Sequence, residues 1–150
     1  MEQVPQNDSL LFKSAHDVPQ GVLVPAASDL PAPRAWGEAE VTWGIWNVPD
    51  AELQMLPEDM TGMRAIELGC GTAYVSAWLA RRGARPVGID NSPRQLETAR
   101  ALQAEFGLEF PLLLGNAEEV PLPDASFDLA VSEYGAALWA DPYRWIPEAA

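Results

Sequence analysis

Hydrophobic positions change their spacing near residue 63. Before it, apolar residues come in short pieces broken by proline; after it, short apolar runs alternate with stretches of helical period, as in an α/β fold. Ala65-Ile66-Glu67-Leu68 has the mostly apolar character of a buried parallel strand. Gly69-Cys70-Gly71 breaks it, and Val75, Trp78 and Leu79 then share one helical face. Arg81-Arg82-Gly83 ends that helix, with cations suited to the dipole and a glycine suited to a left-handed cap. Pro86–Asp90 reads as a second strand. Ser92-Pro93-Arg94-Gln95 predicts the next helix start: serine caps, proline fits the first helical position, and Gln95 completes a capping box. Leu96, Ala99, Leu102 or Gln103, and Phe106 continue the helical period to Gly107.

Phe110–Leu114 and Phe127–Ser132 read as the third and fourth strands, and Tyr143–Ala150 as the opening of another helix. Pro121 and Pro123 oppose a full helix across 116–126. That link has to cross the sheet if the strand order is 3-2-1-4. Three inter-strand steps span about 14 Å, and roughly a dozen extended residues reach about 40 Å, so no helix is required.

Residues 1–35 carry Pro5, Pro19, Pro25, Pro31 and Pro33 and read as a tail, in which Leu10–Phe12 and Val22–Val24 are docking pieces and His16 is solvated. Over 36–62, Trp36, Trp43 and Trp46 are expected to plug one end of the sheet. The alternative is that Trp43 or Trp46 covers a ligand pocket. Val48-Pro49-Asp50 reads as a helix entrance, followed by Leu53, Met55 and Leu56.

The chain has 150 residues, 48 % hydrophobic and 21 % charged, which is enough for one domain with a core. Twenty-two acidic against nine basic residues give a net charge of −13, a field that repels phosphate backbones and opposes nucleic acid as a partner. One cysteine allows no internal disulfide, and with one histidine it argues against a zinc site. No basic-then-apolar leader and no membrane-length apolar run is present, so the expected location is the cytoplasm.

The chemistry concentrates at Glu67-Leu68-Gly69-Cys70-Gly71-Thr72-Ala73, where a strand ends and a helix opens. Glycines let the backbone turn sharply and let a ligand approach the peptide plane, and the helix start offers free N–H groups. Asp90 ends the next strand, placed to accept hydrogen bonds from both ribose hydroxyls of an adenosine. A dinucleotide site wants a third glycine three positions after the second, and Tyr74 stands there instead. Glu67 adds negative charge beneath the loop, which suits a cation rather than a phosphate.

These residues resemble motif I of the class I S-adenosylmethionine-dependent methyltransferases, in the branch acting mostly on small molecules. Gly88-Ile89-Asp90 is similar to that family's ribose-binding segment, and Gly115–Asp128 to its adenine-side segment and the lead into strand four. The resemblance covers about residues 63–150. It implies a Rossmann-like three-layer sandwich with a mostly parallel sheet, order 3-2-1-4 in the part present, and S-adenosyl-L-methionine as cofactor. By position it implies that Gly69 and Gly71 form the turn under the methionyl part, with Cys70 lending backbone contact and Glu67 orienting the amino group directly or through water. Asp90 takes the ribose, Asn91 lies beside the adenine, and Asn116 and Ala117 meet the adenine edge. Ser132 and Glu133 line the side where methyl donor and acceptor meet.

Two departures stand out. The family usually has aspartate where this chain has Asn116, whose amide oxygen still accepts a hydrogen bond. The family fold has seven strands and this chain supplies about four, so residues 36–150 are expected to be the N-terminal portion of such a domain, C-terminally truncated, with strand four left as an edge. Glu133, Tyr134 and Asp141 are read as rim or packing residues that could act as a base, Trp139, Tyr143 and Trp145 as core or substrate wall, and Glu118 and Glu119 as solvated loop acids. The expected function is methyl transfer to a small-molecule acceptor. The alternatives are a non-catalytic binding or interaction module and, opposed by Tyr74 and Glu67, a nicotinamide oxidoreductase.

Overall fold

The computed structural model describes residues 32–150; His16 and the docking pieces Leu10–Phe12 and Val22–Val24 lie outside the described residues. Helix α1 (Ala32–Gly37) runs across position 35, where the sequence pattern divides tail from domain. It buries Ala35 and Trp36, and the Trp36 indole N–H donates to the Thr72 carbonyl at 2.8 Å. Strands β1 (Thr42–Trp43) and β2 (Val48–Pro49) form a two-stranded antiparallel hairpin. Val48 and Pro49 are therefore extended, and the expected helix, α2 (Asp50–Leu53), is a single turn that starts one residue later. The buried Asp50 carboxylate fixes this corner. It accepts from Trp43 Nε1 (2.8 Å) and from the Met55 and Leu56 amides, and pairs with Arg82 at 3.1 Å. Burial pushes its carboxyl up, but these bonds outweigh it and leave the group below the ordinary value.

Trp36 and Trp43 are core residues, packed among the α3 and α4 side chains. Trp46 is not: at 82 % exposure it plugs nothing, because the hairpin turn carries it outward.

From residue 63 the alternation read in the sequence is realised as β3 (Arg64–Leu68), α3 (Tyr74–Arg81), β4 (Arg85–Asp90), α4 (Pro93–Phe106), β5 (Leu112–Leu114) and β6 (Leu129–Val131), followed by α5 (Gly135–Trp139) and α6 (Pro142–Ala149). The four strands pair in parallel in the order β5-β4-β3-β6, which is the 3-2-1-4 order. The third and fourth strands are shorter than their apolar runs, three residues each. Right-handed crossovers place α3 and α4 on one face, and the return from β5 to β6 takes the other. Residues 116–126 make that return without a helix.

Within β3, Ala65 packs with Val75, Trp78 and Leu79 on the helical side, whereas Ile66 and Leu68 pack with Ile89, Ala117 and Ala136 on the opposite side. A third cluster joins Trp36 to Cys70, Ala77, Leu96, Ala99 and Leu102, with Phe106 and Phe110 against the indole. The α4 start forms only half of the expected capping box. Ser92 Oγ accepts from Gln95 N at 3.4 Å, but the Ser92 amide goes to Asp90. Among the described residues no helix is long and apolar enough to cross a membrane.

Candidate functional site

The sheet order reverses at β3, and the expected site residues collect at the carboxyl ends of the strands beside that point, where open α/β sheets bind ligands. The turn after β3 is held by its neighbour: the Gly69 and Cys70 amides both donate to the Ile89 carbonyl at 2.9 Å. Gly69 and Gly71 have φ of 70° and 54°. Their surroundings differ. A side chain at Gly69 would collide with the backbone of Gly135 and Ala136, whereas nothing lies within 4 Å of one at Gly71. Gly69 thus admits α5, and the space over Gly71 is open to a ligand. Cys70 is core: its thiol packs against Gly88, its amide is bonded to Ile89, and its carbonyl accepts from Ala73 N at 2.7 Å. Burial, with Glu67 and Asp90 nearby, pushes the thiol well up.

Glu67 lies beneath the turn, 1 % exposed, and its Oε2 accepts from the Ser76 amide (2.8 Å) and hydroxyl (2.6 Å). Desolvation dominates these two bonds and raises the carboxyl to about 8, with Asp90 and Glu133 adding like charge. The folded protein therefore binds this proton more tightly than the unfolded chain does. Its stabilising contribution is full below about pH 4.5 and is lost as the pH rises through about 8. Thermal melts from pH 5 to 9 are expected to show Glu67→Gln gaining on the parent protein as the pH rises. Parallel curves for the two proteins would show that Glu67 is already ionised in the fold.

Asp90 closes β4. Its Oδ2 accepts from Gly71 N at 2.7 Å and its Oδ1 from Ser92 N at 2.8 Å. Two main-chain donors orient the carboxylate and leave lone pairs on both oxygens. Burial raises its carboxyl, with the two amides acting in opposition. Asn91 follows, exposed. Because Asp90 pairs with Leu114 and its carbonyl accepts from Gly115 N (3.0 Å), Asn116 and Ala117 fall just beyond it. Asn116 Oδ1 caps its own turn by accepting from Glu118 N at 2.9 Å, and Ala117 is buried.

Ser132 and Glu133 follow β6. The Ser132 hydroxyl donates to Leu68 O (2.8 Å) and accepts from Ala137 N (3.1 Å), so it joins two strand ends to α5. Glu133 accepts from Gly44 N at 2.9 Å, tying the hairpin to the sheet, and burial raises its carboxyl. Tyr134 and Tyr74 line the same small cleft as Glu133, with Tyr74 edge-on to Trp78. Asp141 caps α6 through Tyr143 N instead.

Two expectations are corrected. Glu118 is a buried acid, 5 % exposed, because Arg144 and the Asp141 amide draw it inward; Glu119 is exposed as expected. Tyr143 is 88 % exposed and is not a core residue, whereas Trp145 packs into the cluster around Ile66 and Leu68. Sequence reasoning missed Ser76, Gly135 and Glu118. Ser76 alone left a signal, a polar residue inside the buried run Val75–Leu79.

A parallel sheet with a glycine turn, a buried acid beneath it and a pinned carboxylate on the next strand defines a Rossmann-like α/β architecture. The family described as "Methyltransferase domain" matches residues 66–150, and the chain belongs to it. An uncharacterized methyltransferase of Mycobacterium tuberculosis is 39 % identical over 102 residues, covering 68 % of this chain and 39 % of that protein. Malonyl-[acyl-carrier protein] O-methyltransferase of Serratia marcescens is 41 % identical over 71 residues, covering 47 % of this chain and 26 % of that protein. Among solved structures, YcgJ from Bacillus subtilis aligns with a TM-score of 0.55 at 27 % identity, over 61 % of this chain and 39 % of that one. The chain thus spans about two-fifths of the length of the first curated relatives it matches.

Proposed function

We propose that the protein is an S-adenosyl-L-methionine-dependent methyltransferase acting on a small-molecule acceptor, and that residues 36–150 are the portion of the domain that holds the cofactor. The observation that carries this reading is the Asp90 carboxylate, oriented by Gly71 N and Ser92 N with lone pairs to spare at the open side of the turn. The donor set fits a positively charged nucleoside. Asp90 and Glu133, not cations, flank the turn, and Tyr74 stands where a dinucleotide turn needs glycine. Relatives in the family include enzymes named for small or carrier-bound acceptors, as in the Serratia protein, which supports an acceptor of that kind.

S-adenosyl-L-methionine supplies a methyl group already activated on a cationic sulfur. The chain's residues bind and orient: Asp90 takes the ribose, Asn91, Asn116 and Ala117 the adenine, and the Gly71 face and Glu67 the methionyl end. Ser132 fixes the end of β6 so that Glu133 stands at the cleft where the acceptor meets the donor. A base is needed only where the acceptor must lose a proton on methylation.

Calorimetric titration of the protein with S-adenosylmethionine, S-adenosylhomocysteine and NAD tests the reading. Saturable binding of the first two and none of the third is expected, and methyl transfer from labelled cofactor to a panel of small acceptors should follow. Binding of NAD in preference to S-adenosylmethionine would overturn it. Cofactor binding without transfer to any acceptor would favour the non-catalytic module.

A further inference from the structure

The turn assigned above to adenine is tied to the last helix as well as to the sheet. Strand β5, which leads into it, has only three residues. The turn closes on itself through Asn116 Oδ1 with Glu118 N and through Glu119 N with the Asn116 carbonyl, at 2.9 and 3.2 Å. Its direction is then set by where Glu118 points. That side chain faces inward, fully buried, with Oε1 accepting from Asp141 N at 3.0 Å and Oε2 3.2 Å from Arg144 Nη1. One residue past the turn, Val120 N donates to Glu148 Oε1 at 2.7 Å. All three partners, Asp141, Arg144 and Glu148, cap or lie on α6, and no α6 residue is fully buried. A buried carboxylate is tolerated only where it is paired, and one whose partner is removed is strongly destabilised. The polar ties therefore add direction to the apolar packing of Trp145 and Ala149 against the cluster that holds Ala117, Val120 and Leu122.

We infer that Glu118 is a positioning residue for nucleobase recognition: its buried carboxylate clamps the Asn116–Ala117 turn to the start of α6, so that the adenine edge is read only while that helix is docked. The inference rests on the cofactor reading above and adds a residue that does not touch the ligand. The clamp also joins the two ends of the site. The segment leading into α6 begins at Gly135, whose backbone lies against the Gly69 turn, and at Ser132, which is bonded to Leu68. Nucleobase and methionyl ends are thus held by one continuous stretch, 132–148.

The readout is discrimination between S-adenosylhomocysteine and its inosine counterpart, in which a carbonyl replaces the 6-amino group. The parent protein should prefer the adenosine form by about tenfold or more, the scale of one hydrogen bond made or lost at a buried polar site. Glu118→Ala is expected to bring the two dissociation constants to within about twofold, by freeing the turn. Glu118→Gln keeps an acceptor for Asp141 N and should retain most of the preference. Arg144→Ala, at a half-exposed site, should lose part of it, with a melting curve to confirm that the variant folds. Asp90→Ala should weaken both ligands while preserving their ratio. An unchanged ratio in Glu118→Ala, or a folded Arg144→Ala with parental discrimination, would overturn the clamp. A parent protein that binds both nucleosides equally would overturn it while leaving the cofactor reading intact, and one that binds neither would remove both.

Discussion

Replacing Asp90 with alanine is expected to lower affinity for S-adenosylmethionine by about a hundredfold, the equivalent of roughly 3 kcal/mol, or two hydrogen bonds from ribose hydroxyls to a charged acceptor. The effect is large because the carboxylate is already oriented. Gly71 N and Ser92 N hold one oxygen each, so a ribose bound there would meet the carboxylate without rearrangement. The apparently conservative Asp90→Asn should do little better. Both carboxylate oxygens receive a main-chain N–H, and an amide has only one oxygen, so its NH2 group would face one of those donors. Calorimetry on the two variants checks this, with melting curves to confirm folding. Near-parental affinity in both would place the nucleoside elsewhere and undo the site.

The second large effect falls on stability. Gly135→Ala is expected to cost about 3 kcal/mol or more, at the upper end of what overpacking does, because the added methyl collides with the Gly69 backbone rather than with a yielding side chain. For a domain stabilised by roughly 5–15 kcal/mol that is a large share. Urea unfolding should show a lower midpoint with an unchanged slope. Gly71→Ala is the contrast: the space there is open, so only the left-handed backbone is penalised, by about 1–2 kcal/mol. Equal stability of Gly135→Ala and the parent protein would mean that α5 does not rest on the turn.

Local chemistry made much of this legible. The Gly69–Ala73 turn, the Arg81–Gly83 ending and the Ser92-Pro93 start are each determined within a few residues, whereas the strand order came from the family resemblance, with crossover length showing only that it was feasible. The spacing from the turn to Asp90 is one strand–helix–strand unit, which is why that residue could be named. What stayed hidden depends on partners distant in sequence. Glu118 reads as a solvated acid until Arg144, twenty-six positions on, is seen to draw it inward. Gly135 reads as an ordinary helix start until Gly69 lies against it. Gln95 had the spacing of a capping residue, but the Ser92 amide it would have served was claimed by Asp90. Trp46 carried the hydrophobicity of a core residue and none of the information about the hairpin that turns it outward.

Ala73 ends the turn in a left-handed conformation (φ 61°, ψ 35°) that an alanine adopts only at a cost of about 1–2 kcal/mol. It is fully buried, with its amide bonded to Cys70 O and its carbonyl to Ala77 N. An unfavourable conformation persists only where its surroundings over-determine it. The turn is therefore built in advance by the packing behind it. A ligand bound there would cost little chain entropy, so that its affinity would reflect the contacts themselves.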